Sequence, residues 1–94
     1  MTLKIRRVAG QREIQICLSG QLRSEHLGQV KSEIERVVQP VSLDLEEVDL
    51  VDVYAVRFLN DCESAGIPVL RCSPYIREWM MRERTQTEAP PEGK

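Results

Sequence analysis

The residues best suited to chemistry lie around Asp52, where a buried segment gives way to a helix. Asp52 follows an apolar run that ends at Val51, and apolar residues spaced three and four apart follow it. A carboxylate at a helix start accepts hydrogen bonds from the unpaired N–H groups of the first turn. The position predicts that Asp52 is a helix N-cap; the alternative is that it orients a bound partner.

Tyr54 and Arg57 lie three residues apart at the start of the same helix, on its predicted outer side. Exposed tyrosine and arginine side chains are common anchors of protein interfaces. Together with Asn60 and Asp61, the pair predicts a contact patch. The alternative is an ordinary solvated helix face.

Five carboxylates surround this junction: Asp44, Glu46, Glu47, Asp49 and Asp52. Carboxylates at a turn can hold a divalent cation, but this spacing matches no metal-binding loop. We interpret the five as hydrated surface charges and predict no metal site.

Histidine and cysteine supply the other reactive groups. His26, the single histidine, lies in the first turn of a predicted helix with no nucleophile or base specified near it, which predicts a solvated surface side chain. Cys17, Cys62 and Cys72 lack metal-ligand spacing and are predicted to be reduced, small apolar groups. No glycine-rich phosphate loop occurs. The sequence therefore predicts no catalytic residue, no enzymatic activity and no cofactor.

Composition narrows the class of partner. The chain has 94 residues, enough for one domain, and a net charge of −2 without a basic stripe. Nucleic acid is therefore not an expected ligand. The apolar runs are too short to insert into a membrane, and the first ten residues lack a signal-like apolar segment. We expect a cytoplasmic protein.

The first half of the chain predicts a hairpin and a helix. Leu3 and Ile5 alternate with basic residues, and a second alternating run, Ile14–Leu18, follows a turn at Gly10. The segment Gly20–Arg23 is predicted to be a loop. Ser24 is predicted to cap a helix whose apolar spacing extends to Val38.

The second half predicts two further strand–helix units. The run Val41–Leu45 reads as a strand, followed by a turn at Glu46-Glu47 and by the helix that Asp52 begins and Gly66 ends. A short strand, Ile67–Cys72, precedes a helix with Ser73 as its cap and Pro74 in its first position. The prediction is a single α/β domain over residues 1–84, with a mixed four-stranded β-sheet, about three helices and the order β-β-α-β-α-β-α. The polar, proline-rich segment 85–94 is predicted to be a disordered C-terminal tail.

Residues 3–82 resemble the STAS domain of sulfate transporters and anti-sigma-factor antagonists in four segments, of which Leu70–Trp79 is similar to the family's closing strand and helix. Leu18–Leu22 is similar to its L-x-G-x-L motif, Leu43–Leu45 to its LDL strand, and Val51–Val56 to its ID-S-S-G-L switch. The resemblance implies a STAS-like domain of bacterial regulation that works by binding proteins.

The departures from the family pattern concern how partner binding would be controlled. In the anti-sigma-factor antagonists, the serine after the aspartate is phosphorylated by a kinase that is itself the anti-sigma factor. Val53 occupies that position here, Tyr54 and Ala55 replace the next serine and the glycine, and Arg23 stands where aspartate is frequent. The resemblance therefore implies a divergent interaction module without the serine phosphorylation switch, and without any other assigned phosphorylation site.

The implied partner is another protein, such as an anti-sigma factor or a histidine-kinase-like regulator. The predicted partner-binding residues are those at the switch and in the loop beside it: Asp52, Val53, Tyr54, Arg57, Gln21 and Arg23. The alternatives are a soluble STAS accessory subunit of a membrane transport complex and a small nucleotide-binding protein.

Overall fold

The computed structural model of the protein describes residues 3–88 and has the predicted element order. Its strands and helices are β1 Leu3–Ala9, β2 Ile14–Leu22, α1 Leu27–Glu35, β3 Val41–Val51, α2 Val53–Ser64, β4 Val69–Leu70 and α3 Pro74–Glu88, with a 3-10 turn at Ser24–His26 before α1.

The four strands form one mixed sheet in the order β1-β2-β3-β4. β1 pairs antiparallel with β2, which confirms the hairpin, and β2, β3 and β4 run parallel. Helices α1 and α2 are the crossovers between the parallel strands, and α3 packs beside α2. The α/β fold with a mixed four-stranded sheet is confirmed.

The predicted turn at Glu46-Glu47 is wrong, because β3 continues through it to Val51. The pairing advances from Cys17–Asp44 to Ser19–Glu47, so β3 holds one extra residue there, and a second irregularity follows Gly20. Such a bulge changes which face the following side chains occupy. Glu46 and Glu47 are therefore both exposed, and the inward alternation resumes at Val48.

The predicted loop Gly20–Arg23 is also mostly strand. β2 extends to Leu22, whose side chain is fully buried and whose backbone pairs with Val51 of β3. Gly20 has a φ of 102°, a conformation that favours glycine because it has no Cβ. Gly20 therefore lies at an irregular position within β2 and not at the end of that strand.

The first helix is shorter than its apolar spacing predicts. α1 begins at Leu27 after the 3-10 turn, so Ser24 is not its cap, and it ends at Glu35. Val38, expected on the inner face, is 97% exposed. Val38 therefore lies in the connection to β3, just before Gln39, which the following Pro40 restricts to extended conformations.

One core joins the sheet to the helices. Leu43 and Leu45 of β3 are fully buried. The apolar spacing of α2 predicts an inward stripe of Ala55, Val56, Leu59 and Cys62 with Phe58 at its margin, and all five are buried. This continuous core holds the ends of the strands in fixed positions. Its largest fully buried apolar side chains are Ile16, Leu18, Leu22, Leu43, Leu45, Leu59, Ile76, Met80, Val30 and Val56.

The opposite sheet face is mostly polar, and Asp44 is buried in it with 6% of its surface exposed. One oxygen of Asp44 accepts the Glu46 N–H at 2.9 Å, inside the bulge, and the other accepts from Arg71 at 2.8 Å. The prediction that Asp44 is a hydrated surface charge is therefore wrong, because its carboxylate is buried and accepts these hydrogen bonds within the protein.

The end of the chain differs from the prediction in two respects. The fourth strand comprises only Val69–Leu70, shorter than the predicted Ile67–Cys72. α3 starts with the predicted Ser73 cap, which accepts the Ile76 N–H at 3.3 Å, but extends to Glu88. Each added residue of a helix gains a backbone hydrogen bond, which lets α3 pass the predicted domain boundary at residue 84. Residues 89–94 of the predicted tail lie outside the described residues.

Candidate functional site

The candidate site lies at the sheet edge where the parallel strands β2 and β3 both end. Gln21 pairs with Leu50 and Leu22 with Val51, so the residues that follow these strands are neighbours. This register places Arg23 beside Asp52. The structure therefore brings together the two segments that hold the six predicted partner-binding residues.

A single carboxylate connects these segments. Asp52 Oδ1 accepts the Ala55 N–H at 2.8 Å, which confirms the predicted N-cap of α2. Its other oxygen, Oδ2, accepts the Ser24 N–H at 2.9 Å. N–H groups of a first helical turn have no partner within the turn. Asp52 thus satisfies one such group at the start of α2 and one at the turn before α1.

His26 is part of this junction and not the solvated surface histidine that the sequence predicts. Its side chain is 12% exposed, and its Nδ1 lies 3.3 Å from the Arg23 N–H that donates to it. Its Nε2 is 3.6 Å from the carboxylate of Glu25. The ring is covered because the 3-10 turn folds it back over the end of β2, which helical periodicity alone does not reveal.

The outward side of α2 begins with Tyr54, which is 57% exposed. Arg57, one turn later, has a side chain that is 55% exposed and donates to Glu83 of α3 at 3.1 Å. Val53 is half-buried between Asp52 and Tyr54. The first turn of α2 therefore presents an aromatic side chain beside a guanidinium that α3 orients.

Gln21 and Arg23 add unused hydrogen-bonding capacity to the same edge. Both residues are half-buried, and Gln21 Oε1 and Arg23 Nε are shielded atoms without a hydrogen-bond partner among the described residues. A shielded polar atom without a partner is unfavourable. Both atoms are covered by the protein, so they are not part of the accessible surface of this edge.

Residues 3–88 contain neither a metal-ligand cluster nor a membrane-spanning helix. No group of three or more histidine, cysteine, aspartate or glutamate residues there is arranged to hold a metal ion. No helix in that range has the length and apolarity needed to cross a bilayer.

Comparison with known proteins supports the fold. No protein-family model and no curated protein matches the chain. A similar solved structure is an uncharacterised protein of the DUF3478 family, with a SpoIIAA-like fold, from Shewanella loihica PV-4. The TM-score is 0.52 at 16% identity, over 90% of this chain and 79% of that one. The chain has a SpoIIAA-like fold, and the STAS-like domain that the sequence motifs implied is confirmed at the level of fold.

Proposed function

We propose that this protein is a non-catalytic, cytoplasmic interaction module of bacterial regulation that binds another protein through the edge around Asp52. The observation that carries the proposal is the Asp52 carboxylate, which holds the Ser24 and Ala55 amides together at 2.9 and 2.8 Å. These two hydrogen bonds join the segment after β2 to the segment after β3, so that the two form one surface.

The chemistry of that surface supports a protein as its ligand. Tyr54 offers a large, exposed ring, and Arg57 offers a cation whose orientation is already fixed by Glu83. Aromatic and arginine anchors of this kind contribute much of the binding free energy in many interfaces. Gln21 and Arg23 are half-buried residues of the neighbouring segment.

The resemblance to anti-sigma-factor antagonists suggests the class of partner: an anti-sigma factor or a histidine-kinase-like regulator. Val53 has no hydroxyl at the position of the family's phosphorylated serine. We infer that binding at this edge is constitutive or controlled at another site.

The test is quantitative capture from the native host, comparing wild type with the double variant Tyr54→Ala/Arg57→Ala. A matched control, Tyr75→Ala/Arg82→Ala, removes the same residue types from exposed positions of α3. We expect the first variant to weaken capture by more than about 2 kcal/mol, and the control to retain the partner. Equal capture by both variants, with unchanged circular dichroism, would assign binding to another surface.

Identification of the captured protein separates the proposed role from its alternatives. A sigma-factor regulator or kinase supports the proposal. A membrane transport component supports an accessory subunit of a transport complex, and nucleotide retained by the purified protein supports a nucleotide-binding role.

A further inference from the structure

A shallow groove between α1 and α2 is not used by the proposed function. Its volume is about 300 Å³, and its apolar lining includes Ile34, Phe58, Cys62 and Ile67. It lies in the later turns of both helices. Its lining on α2 begins at Phe58, one turn after Tyr54, so the groove adjoins the edge around Asp52 but contains none of the six predicted partner-binding residues.

The floor of the groove is apolar and incompletely covered. Phe58 and Cys62 are buried, with 7% and 5% exposure, but Ile34 and Ile67 at the sides are only half-buried. The Lys31 ammonium lies 5.9 Å from the centre of the Phe58 ring. Lys31 therefore covers one face of Phe58, and the remaining space of about 300 Å³, lined also by Ile34 and Ile67, can take one apolar side chain from another molecule.

The rim of the groove is acidic. Glu35 and Asp61 are exposed residues of its lining, and no ion pair joins either to another described residue. In contrast, Glu33 and Glu63, in the same last turns, contact arginines. Lys31 is the one basic residue in the lining, which leaves its formal charge at −1.

The helix ends reinforce this negative potential. A helix C-terminus carries partial negative charge and is normally accompanied by basic residues. The last turns of α1 and α2 contain no basic residue, although the exposed Arg36 follows α1 directly. Burial first, and then the charge of Asp61, raise the pKa of the Cys62 thiol to about 11, while Lys31 opposes that rise.

We propose that this groove binds a polypeptide segment of a partner protein in which an apolar side chain is flanked by lysine or arginine. The apolar side chain packs against Ile34 and Ile67, and the cations lie beside Glu35 and Asp61. This site is additional to the proposed function and does not depend on the edge around Asp52.

Two short peptides test the proposal: acetyl-Lys-Leu-Phe-Lys-amide and acetyl-Glu-Leu-Phe-Glu-amide, which share their apolar core and differ in charge. Each is titrated into the labelled full chain at neutral pH and low salt, with binding followed by NMR. We expect the basic peptide to shift the signals of Ile34, Phe58 and Ile67, and to bind at least about fivefold more tightly than the acidic one. This preference should shrink in about 0.5 M NaCl because salt screens exposed charges.

The double variant Glu35→Gln/Asp61→Asn removes the rim charges and should reduce the preference for the basic peptide to about twofold or less. The control variant Glu13→Gln/Asp49→Asn removes the same charges from exposed sites outside the groove and should keep the preference. Equal binding of the two peptides, shifts confined to other residues, or no shifts at millimolar peptide would overturn the proposal. Self-association that shifts the groove signals without peptide would assign the groove to a second copy of the chain.

Discussion

Arg71 donates a hydrogen bond to the Asp44 carboxylate over 2.8 Å while its own backbone has a φ of 56°. Among residues 3–88, it is the one non-glycine residue with positive φ. This conformation costs an ordinary residue about 1–2 kcal/mol, because its Cβ approaches the following carbonyl oxygen. One residue therefore combines a left-handed backbone with an ion pair to a buried carboxylate.

The first prediction separates the strain at Arg71 from its ion pair. Arg71→Ala and Arg71→Gly both remove the guanidinium, but only alanine retains the steric cost of positive φ. We expect Arg71→Gly to be more stable than Arg71→Ala by about 1 kcal/mol in urea unfolding. Equal stability of the two variants would mean that residue 71 is not left-handed in solution.

The second prediction concerns Asp52. Asp52→Ala leaves the Ser24 and Ala55 N–H groups without their acceptor, so it should lower the free energy of unfolding by about 2 kcal/mol. Ser73→Ala removes one longer capping hydrogen bond and should cost about half as much. Urea denaturation measures both variants.

Asp52→Asn tests the bridge between the two segments. It keeps one side-chain oxygen, so it should preserve the bond to one of the two amides and fall between wild type and Asp52→Ala in stability. The NMR signals of both amides, Ser24 and Ala55, should shift in Asp52→Ala. A shift at Ala55 alone would show that Asp52 caps α2 without holding the neighbouring segment.

Much of the fold could be predicted because local patterns and tertiary packing agree. Strict alternation in Ile14–Leu18 predicted an inward face that the structure has, and the inward spacing from Ala55 to Cys62 predicted the buried side of α2. Asp52 was predicted as a cap because its N–H partner is three residues away. In each case, the determining contact is close in sequence or follows a regular period.

The errors occurred where distant contacts override a local signal. Glu46-Glu47 resembles a turn, yet parallel pairing with β2 keeps the chain extended and absorbs the extra residue as a bulge. Ser24 resembles a cap, but its N–H pairs with Asp52, 28 residues away. No single-sequence pattern contains these pairings. The acidic groove between α1 and α2 was missed for the same reason, since its two sides come from separate helices.

The third prediction concerns the core. Leu43 is fully buried in β3, so Leu43→Ala should cost about 2–5 kcal/mol through lost burial and a cavity. Val38→Ala, at a position 97% exposed, should change stability by less than about 0.5 kcal/mol. His26→Ala should lower the free energy of unfolding by about 1 kcal/mol more than that control, because it removes the acceptor of the Arg23 N–H. Similar urea midpoints for Leu43→Ala and Val38→Ala would contradict the register of β3.

The fourth prediction concerns phosphorylation. Val53 cannot accept a phosphate, so incubation with an anti-sigma-factor kinase and ATP should leave the intact mass of the protein unchanged. The kinase's own antagonist serves as the positive control in the same reaction. A phosphate mapped to the exposed hydroxyl of Tyr54 would show that a switch persists one residue further along α2.

The final prediction follows from Cys62. Burial, and then the charge of Asp61, raise the pKa of its thiol from 9.0 to about 11 in the folded protein. Between these values the folded state holds the proton and the unfolded state releases it, so rising pH favours unfolding. The contribution of the Cys62 thiol to the free energy of unfolding is intact below about pH 9 and is lost as pH approaches 11. Its maximum is near 2–3 kcal/mol for a difference of about two pKa units.

Cys62→Ala should therefore lose less stability than wild type over this pH range. All other residues are identical in the two proteins, so their contribution cancels in the comparison. Parallel stability curves for the two proteins from pH 8.5 to 11 would contradict the raised pKa.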